Sequence, residues 1–102
     1  MRLIRQDVLV HAGRKNAPLR RWLQTWALTV EAAHWSNLDD VRATYPSADG
    51  VVLASGTVVS VFNVKGNEYR LLAWIDYSQA VVQVLEVLTH AEYDKDQWKS
   101  RY

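Results

Sequence analysis

Between Asn16 and Trp35 the apolar residues Leu19, Trp22, Leu23, Trp26, Ala27 and Val30 recur every three or four positions, which lines one face of an α-helix. Asn16 stands where an N-cap belongs and Pro18 in the first turn, so the pattern predicts a helix to about Trp35. Upstream, Arg2 to Ile4 is short enough for an edge strand. Asp7 then opens a helix with Val8, Leu9 and Ala12 on one side, interrupted by Gly13 and Asn16. Downstream, Asn37 with Asp40 three residues later starts a short third helix, which Pro46 stops. From Val51 the period changes to two and β-branched residues take over. Strands are predicted near Val51–Leu53, Thr57–Val64, Glu68–Asp76 and Ala80–Leu88. Thr89 and Glu92 then fit a capping box, which makes His90 the first residue of a short C-terminal helix. Helices first and an antiparallel meander second predict an α+β fold, with N-terminal helices packed on an antiparallel β-sheet, in one domain spanning residues 1–102.

Register can be read from the same alternation. In "FNVKGNEYRL", a two-residue turn at Gly66-Asn67 sets Lys65 across from Glu68 and Asn63 across from Arg70. Phe62, Val64, Tyr69 and Leu71 then share the opposite face with the tryptophan helix. A three-residue turn would mix charged and apolar groups on both faces, and burying an unpaired Arg or Glu costs several kcal/mol. For the next strand, a loop of Tyr77, Ser78 and Gln79 sets Glu86 beside Arg70 as a cross-strand pair, whereas a longer loop would carry Glu86 to the core side. Asn63, Lys65, Glu68, Arg70, Glu86 and His90 are thus expected on one solvent-accessible face.

Composition narrows the class without naming a partner. The 102 residues are 49% hydrophobic and 23% charged, a globular balance, and the net charge of +1 gives no global signal for nucleic acid. There is no cysteine, hence no disulfide, thiol nucleophile or cysteine-based zinc site. His11 and His34 have no metal-ligand spacing and are read as structural. The opening residues lack a signal-peptide core, and no apolar run could span a bilayer, so a cytoplasmic protein without a membrane partner is expected. What remains is the face holding Lys65, Arg70 and His90. A helix N-terminus presents amides and partial positive charge, which attracts phosphate and disfavours protonation of a nearby histidine. Those groups suit phosphodiester chemistry. In isolation each has a plainer reading: a first-turn histidine, a surface ion pair, a strand-edge lysine.

The same residues carry a family resemblance. Phe62, Asn63, Gly66, Asn67, Tyr69 and Arg70, followed by Thr89, His90, Glu92, Tyr93 and Asp94, resemble the paired motifs of the HigB family, RelE-like toxins of type II toxin–antitoxin modules. The resemblance extends to "NLDDVRATYPSAD". It implies a RelE-like fold, cleavage of messenger RNA during translation on the ribosome, no metal cofactor, and neutralisation by a HigA-type antitoxin in a heteromeric complex. It further implies metal-free transesterification. In that scheme Lys65, Arg70, His90 and Tyr93 are the candidate catalytic residues: Arg70 and Lys65 as cations for the phosphorane, His90 as acid or base, and Tyr93 as proton donor or stacking surface. Asn63, Asn67, Lys95, Lys99 and Arg101 are candidate RNA-binding residues. Two other classes stay open, a non-catalytic poison on the same scaffold resembling the ParE branch, and a protein-interaction module whose exposed helix face binds a partner protein. Neither needs the phosphate-suited trio.

Overall fold

The computed structural model describes residues 1–102. The elements run β1 (Arg2–Ile4), α1 (Gln6–Gly13), α2 (Ala17–Ala32), α3 (Leu38–Thr44), β2 (Asp49–Val52), β3 (Val58–Val64), β4 (Tyr69–Asp76), β5 (Val81–Thr89) and α4 (His90–Asp94), followed by a 3-10 turn at Gln97–Ser100. Local chemistry sets the boundaries. The Asn16 side chain accepts from Leu19 N–H at 3.1 Å and the Asn37 side chain from Asp40 N–H at 3.0 Å, so α2 and α3 begin where a cap satisfies a free amide. α2 ends at Ala32, three residues before Trp35, because the chain turns extended at Ala33 and folds Trp35 down onto Phe62, with ring centroids 6.4 Å apart.

The sheet order is β1-β5-β4-β3-β2. β2 to β5 form the expected antiparallel meander, while β1 runs parallel to β5, so the sheet as a whole is mixed. One face carries Phe62, Val64, Leu71, Ala73, Val82 and Val84 against Leu19, Leu23, Trp26 and Val30 of α2, forming a core of 16 buried residues. Trp26 meets Phe62 edge-on at 5.3 Å. Trp22, on the same helix, is only partly buried and leans on Tyr45.

A single helical layer is not the whole packing. The chain after β5 crosses to the other face of the sheet, where Trp98, fully buried, joins Leu53, Val59, Val61, Leu72 and Leu88 in a second cluster. The indole N–H donates to the Tyr93 carbonyl at 3.2 Å, so the large apolar ring is buried without an orphaned donor. The residues after α4 therefore act as a strap over the far sheet face.

Candidate active site

The β3–β4 hairpin has the expected register: Asn63 pairs with Arg70 and Val64 with Tyr69. Its tip differs. Left-handed backbone falls at Lys65 (φ 51) and Gly66 (φ 69), one residue earlier than a turn centred on Gly66-Asn67 requires, and residues 65–68 form a four-residue loop. Glycine takes that conformation freely, while lysine does so at a cost. Tyr69 faces the helices, and its hydroxyl accepts from Asn16 Nδ2 at 3.1 Å, so the residue that caps α2 also anchors the base of the hairpin. The pleat then turns Arg70 to the opposite face.

Arg70 is not on an open surface; it is only 8% exposed. Its guanidinium donates from Nη1 to the carbonyls of Tyr69 (3.0 Å) and Asn67 (3.4 Å), and from Nη2 to Asn67 Oδ1 (2.6 Å). It also lies 5.8 Å from the centre of the Tyr93 ring. The expected partner Glu86 is elsewhere, because Arg70 pairs with Leu88 and Glu86 with Leu72. Two features move the register. The β4–β5 loop is one residue longer than expected, with Asp76 opposite Val81 and Ala80 in left-handed backbone. The ladder then shifts between Leu72 and Ala73, where Leu85 is the extra residue of a β-bulge that returns Glu86 to the outer face. The carboxylate avoids the core as its charge demands, through a bulge rather than a shorter loop. There Arg101 holds it with paired bonds of 3.0 and 3.1 Å, which pins the C-terminal strap to β5.

His90 enters from α4. The capping box is complete: Thr89 Oγ1 accepts from Glu92 N–H at 3.1 Å, and Glu92 Oε1 accepts from Thr89 N–H at 2.9 Å. The bond from the Thr89 backbone N–H is the largest cause that holds the Glu92 carboxyl below its usual range. The expectation of a free amide cluster for phosphate is corrected here. Glu92 N–H is used by Thr89, and His90 N–H donates to the Glu68 carbonyl at 3.0 Å. What α4 supplies is the imidazole. Nδ1 lies 3.2 Å from the Asn67 carbonyl oxygen and Nε2 lies 3.1 Å from Asp94 Oδ2. A neutral ring has one N–H and donates to only one of these two acceptors at a time.

The Asn67 carbonyl is therefore one oxygen on which the Arg70 guanidinium and the His90 ring both converge. Tyr93 borders the same place, stacked on Trp98 at 5.3 Å, and its burial pushes the phenol up, so the hydroxyl stays a proton donor at neutral pH. Lys65 is at the tip, but its ammonium is bonded to Glu68 at 3.2 Å rather than to Arg70 or His90. Asn63 shares the Arg70 face and is half-buried, while Lys95 is exposed at the end of α4. Lys99 pairs with Asp96 at 3.2 Å beside Trp98, and Arg101 is engaged by Glu86. The residue that sequence reasoning left without a role is Asp94; its signal was its place four residues after His90 on a helix. No group of three or more His, Cys, Asp or Glu is arranged to hold a metal ion. No helix is long and apolar enough to cross a membrane.

Comparison with known proteins shows the family. The family model for HigB_toxin, the RelE-like toxic component of a toxin–antitoxin system, matches residues 19–96. The chain belongs to the HigB toxin family. It is 31% identical over 94 residues to the mRNA interferase toxin HigB of Escherichia coli K12, covering 92% of this chain and 88% of that protein. The mRNA interferases HigB of Escherichia coli O157:H7 and Shigella flexneri match to the same extent. The span matched by the HigB model includes the hairpin, α4 and every residue that meets at the Asn67 carbonyl. It stops before Lys99 and Arg101.

Proposed function

We propose that this HigB toxin is an mRNA interferase that cuts messenger RNA on translating ribosomes in the cytoplasm and is neutralised by a HigA-type antitoxin. The observation that carries the chemistry is the convergence of Arg70 Nη1 and His90 Nδ1 on a single oxygen. A phosphate oxygen taking the place of the Asn67 carbonyl would receive a hydrogen bond from both. The names of the similar proteins support RNA cleavage as the use of such a site.

In the cleavage step the RNA 2′-oxygen bonds to the adjacent phosphorus as its proton leaves, and the bond from phosphorus to the 5′-oxygen breaks as that oxygen gains a proton. Arg70 takes the charge that accumulates on the phosphorane, with the fork held in place beforehand by Asn67 and Tyr69. His90 transfers a proton through Nδ1, because Nε2 is engaged by Asp94, which holds the ring in place. General acid–base help of this kind is worth about 10² to 10⁴ in rate. Tyr93, protonated, completes the set as the second proton-transfer group or as a surface for a base. Asn63, Lys65 and Lys95 border the strand. Lys99 and Arg101 would contact RNA only by sharing themselves with Asp96 and Glu86.

Induced expression followed by mapping of transcript 5′ ends, with and without a translation block, tests this reading. New ends that appear within coding regions and vanish when translation is blocked support it. Growth arrest with intact transcripts would replace it with a non-catalytic toxin.

A further inference from the structure

The near-neutral net charge hides a division. Residues 1–30 carry six Lys and Arg against the single acid Asp7, whereas residues 31–102 carry six against ten acids. In the first group Arg5 is bonded to Asp7, but Arg14, Lys15, Arg20 and Arg21 are exposed on α1–α2 and form no ion pair. No acid lies between Asp7 and Glu31 to neutralise them.

Arg20 among these cations borders an apolar surface. α1 and α2 approach closely at Gly13, and beside that crossing lies a groove of about 160 Å³ lined by Leu9, Val10, Leu23 and Ala27 with Arg20 at its edge. Val10 is 63% exposed and Leu28, one turn beyond the groove residue Gln24, is 70% exposed. An RNA backbone would satisfy the arginines and leave the groove and Leu28 unused. An amphipathic helix with an apolar stripe flanked by Asp and Glu satisfies both.

We propose that the α1–α2 face is the docking surface for the antitoxin, entered by an acidic amphipathic helix; the inference rests on the toxin–antitoxin partnership of the reading above. The charges bring the partner to this face and fix its orientation, and the groove provides the buried centre. Because the helices cover the sheet face opposite Arg70 and His90, a helix docked there leaves the cleavage residues uncovered. Neutralisation would then act through the bulk of the bound antitoxin.

The test uses full-length toxin carrying His90→Ala, so that expression is harmless, and the purified cognate antitoxin as the probe. Leu28→Glu is expected to weaken binding about tenfold or more, because it removes an apolar contact beside the groove and sets a carboxylate against an acidic helix. Arg20→Glu with Arg21→Glu should weaken it further and flatten its salt dependence. The same substitutions in active toxin should leave cleavage on programmed ribosomes within about twofold of the parent, since none is near the site. As a readout without variants, antitoxin should slow amide exchange in α1 and α2. Unchanged affinity in all variants would overturn the inference. Loss of ribosomal cleavage with antitoxin binding intact would also overturn it and assign the face to RNA. A parent toxin that binds antitoxin through this face yet cuts no RNA would sink the nuclease reading and leave the docking surface standing.

Discussion

Replacing Arg70 with alanine tests architecture and chemistry together, because the structure gives this side chain two duties. It is nearly buried, and its guanidinium makes three hydrogen bonds to Asn67 and Tyr69 and flanks the Tyr93 ring. A hydrogen bond from a charged donor contributes about 1.5–3 kcal/mol, yet the 3.4 Å contact is marginal and water can reach the exposed Asn67 once the side chain is gone. The loss should come to roughly 2–4 kcal/mol in total. At about 5 °C per kcal/mol for a domain of this size, the melting temperature should fall by roughly 10–20 °C. The protein should remain folded at 25 °C, since single domains hold about 5–15 kcal/mol. Cleavage, measured well below the new melting temperature, should fall by about 10² to 10³, the usual loss for one preorganised electrostatic donor. Arg70→Lys should recover only part of either effect, as an ammonium cannot serve Asn67 and Tyr69 together. Thermal unfolding by circular dichroism and single-turnover cleavage on programmed ribosomes supply the two numbers. A melting temperature within about 2 °C of the parent would refute the structural duty, and parental cleavage by the folded variant would refute the chemical one.

Gly13→Ala should destabilise by about 1–3 kcal/mol, although alanine is the better helix former, because the added Cβ would lie 2.8 Å from the Arg20 backbone; denaturant titration measures it. The lowered Glu92 carboxyl gives a pH dependence with a definite sign. Its folded value lies below its unfolded one, so its contribution is present above pH about 4.3 and is lost as pH falls below that toward the folded value. Amide exchange in α4 should quicken over that window, and Glu92→Gln should remove this dependence.

Much of the architecture was legible because burial imposes a period. The tryptophan helix shows every third or fourth residue apolar, the strands alternate, and the hairpin register follows from keeping Asn63 and Arg70 out of the helical core. The Thr89 and Glu92 capping box could be read residue by residue, since a cap is a local device. The bulge at Leu85 could not, because an extra residue between two apolar neighbours leaves no mark in an alternating pattern, and with it went the expected Arg70–Glu86 pair. Nor could the strap: Trp98 sits among polar and charged neighbours and gains its burial from strands more than 25 positions earlier as well as from β5. The candidate site was read from its residue types, but the arrangement of those residues depends on Asn67, whose carbonyl gathers Arg70 and His90, and on Asp94, whose bond to His90 crosses one helical turn.

The most direct test of the proposed chemistry is the pH profile of single-turnover cleavage on programmed ribosomes for the parent, His90→Ala and Asp94→Asn. If His90 moves a proton through Nδ1 while Asp94 holds Nε2, His90→Ala loses about 10² or more in rate together with one limb of the profile. Asp94→Asn, with the ring less firmly held, keeps that limb at a shifted position and loses less. A folded His90→Ala protein that cleaves at the parental rate across the whole pH range would contradict the account, and would leave Arg70 and Asn67 as a phosphate-binding point with the proton transfer made elsewhere.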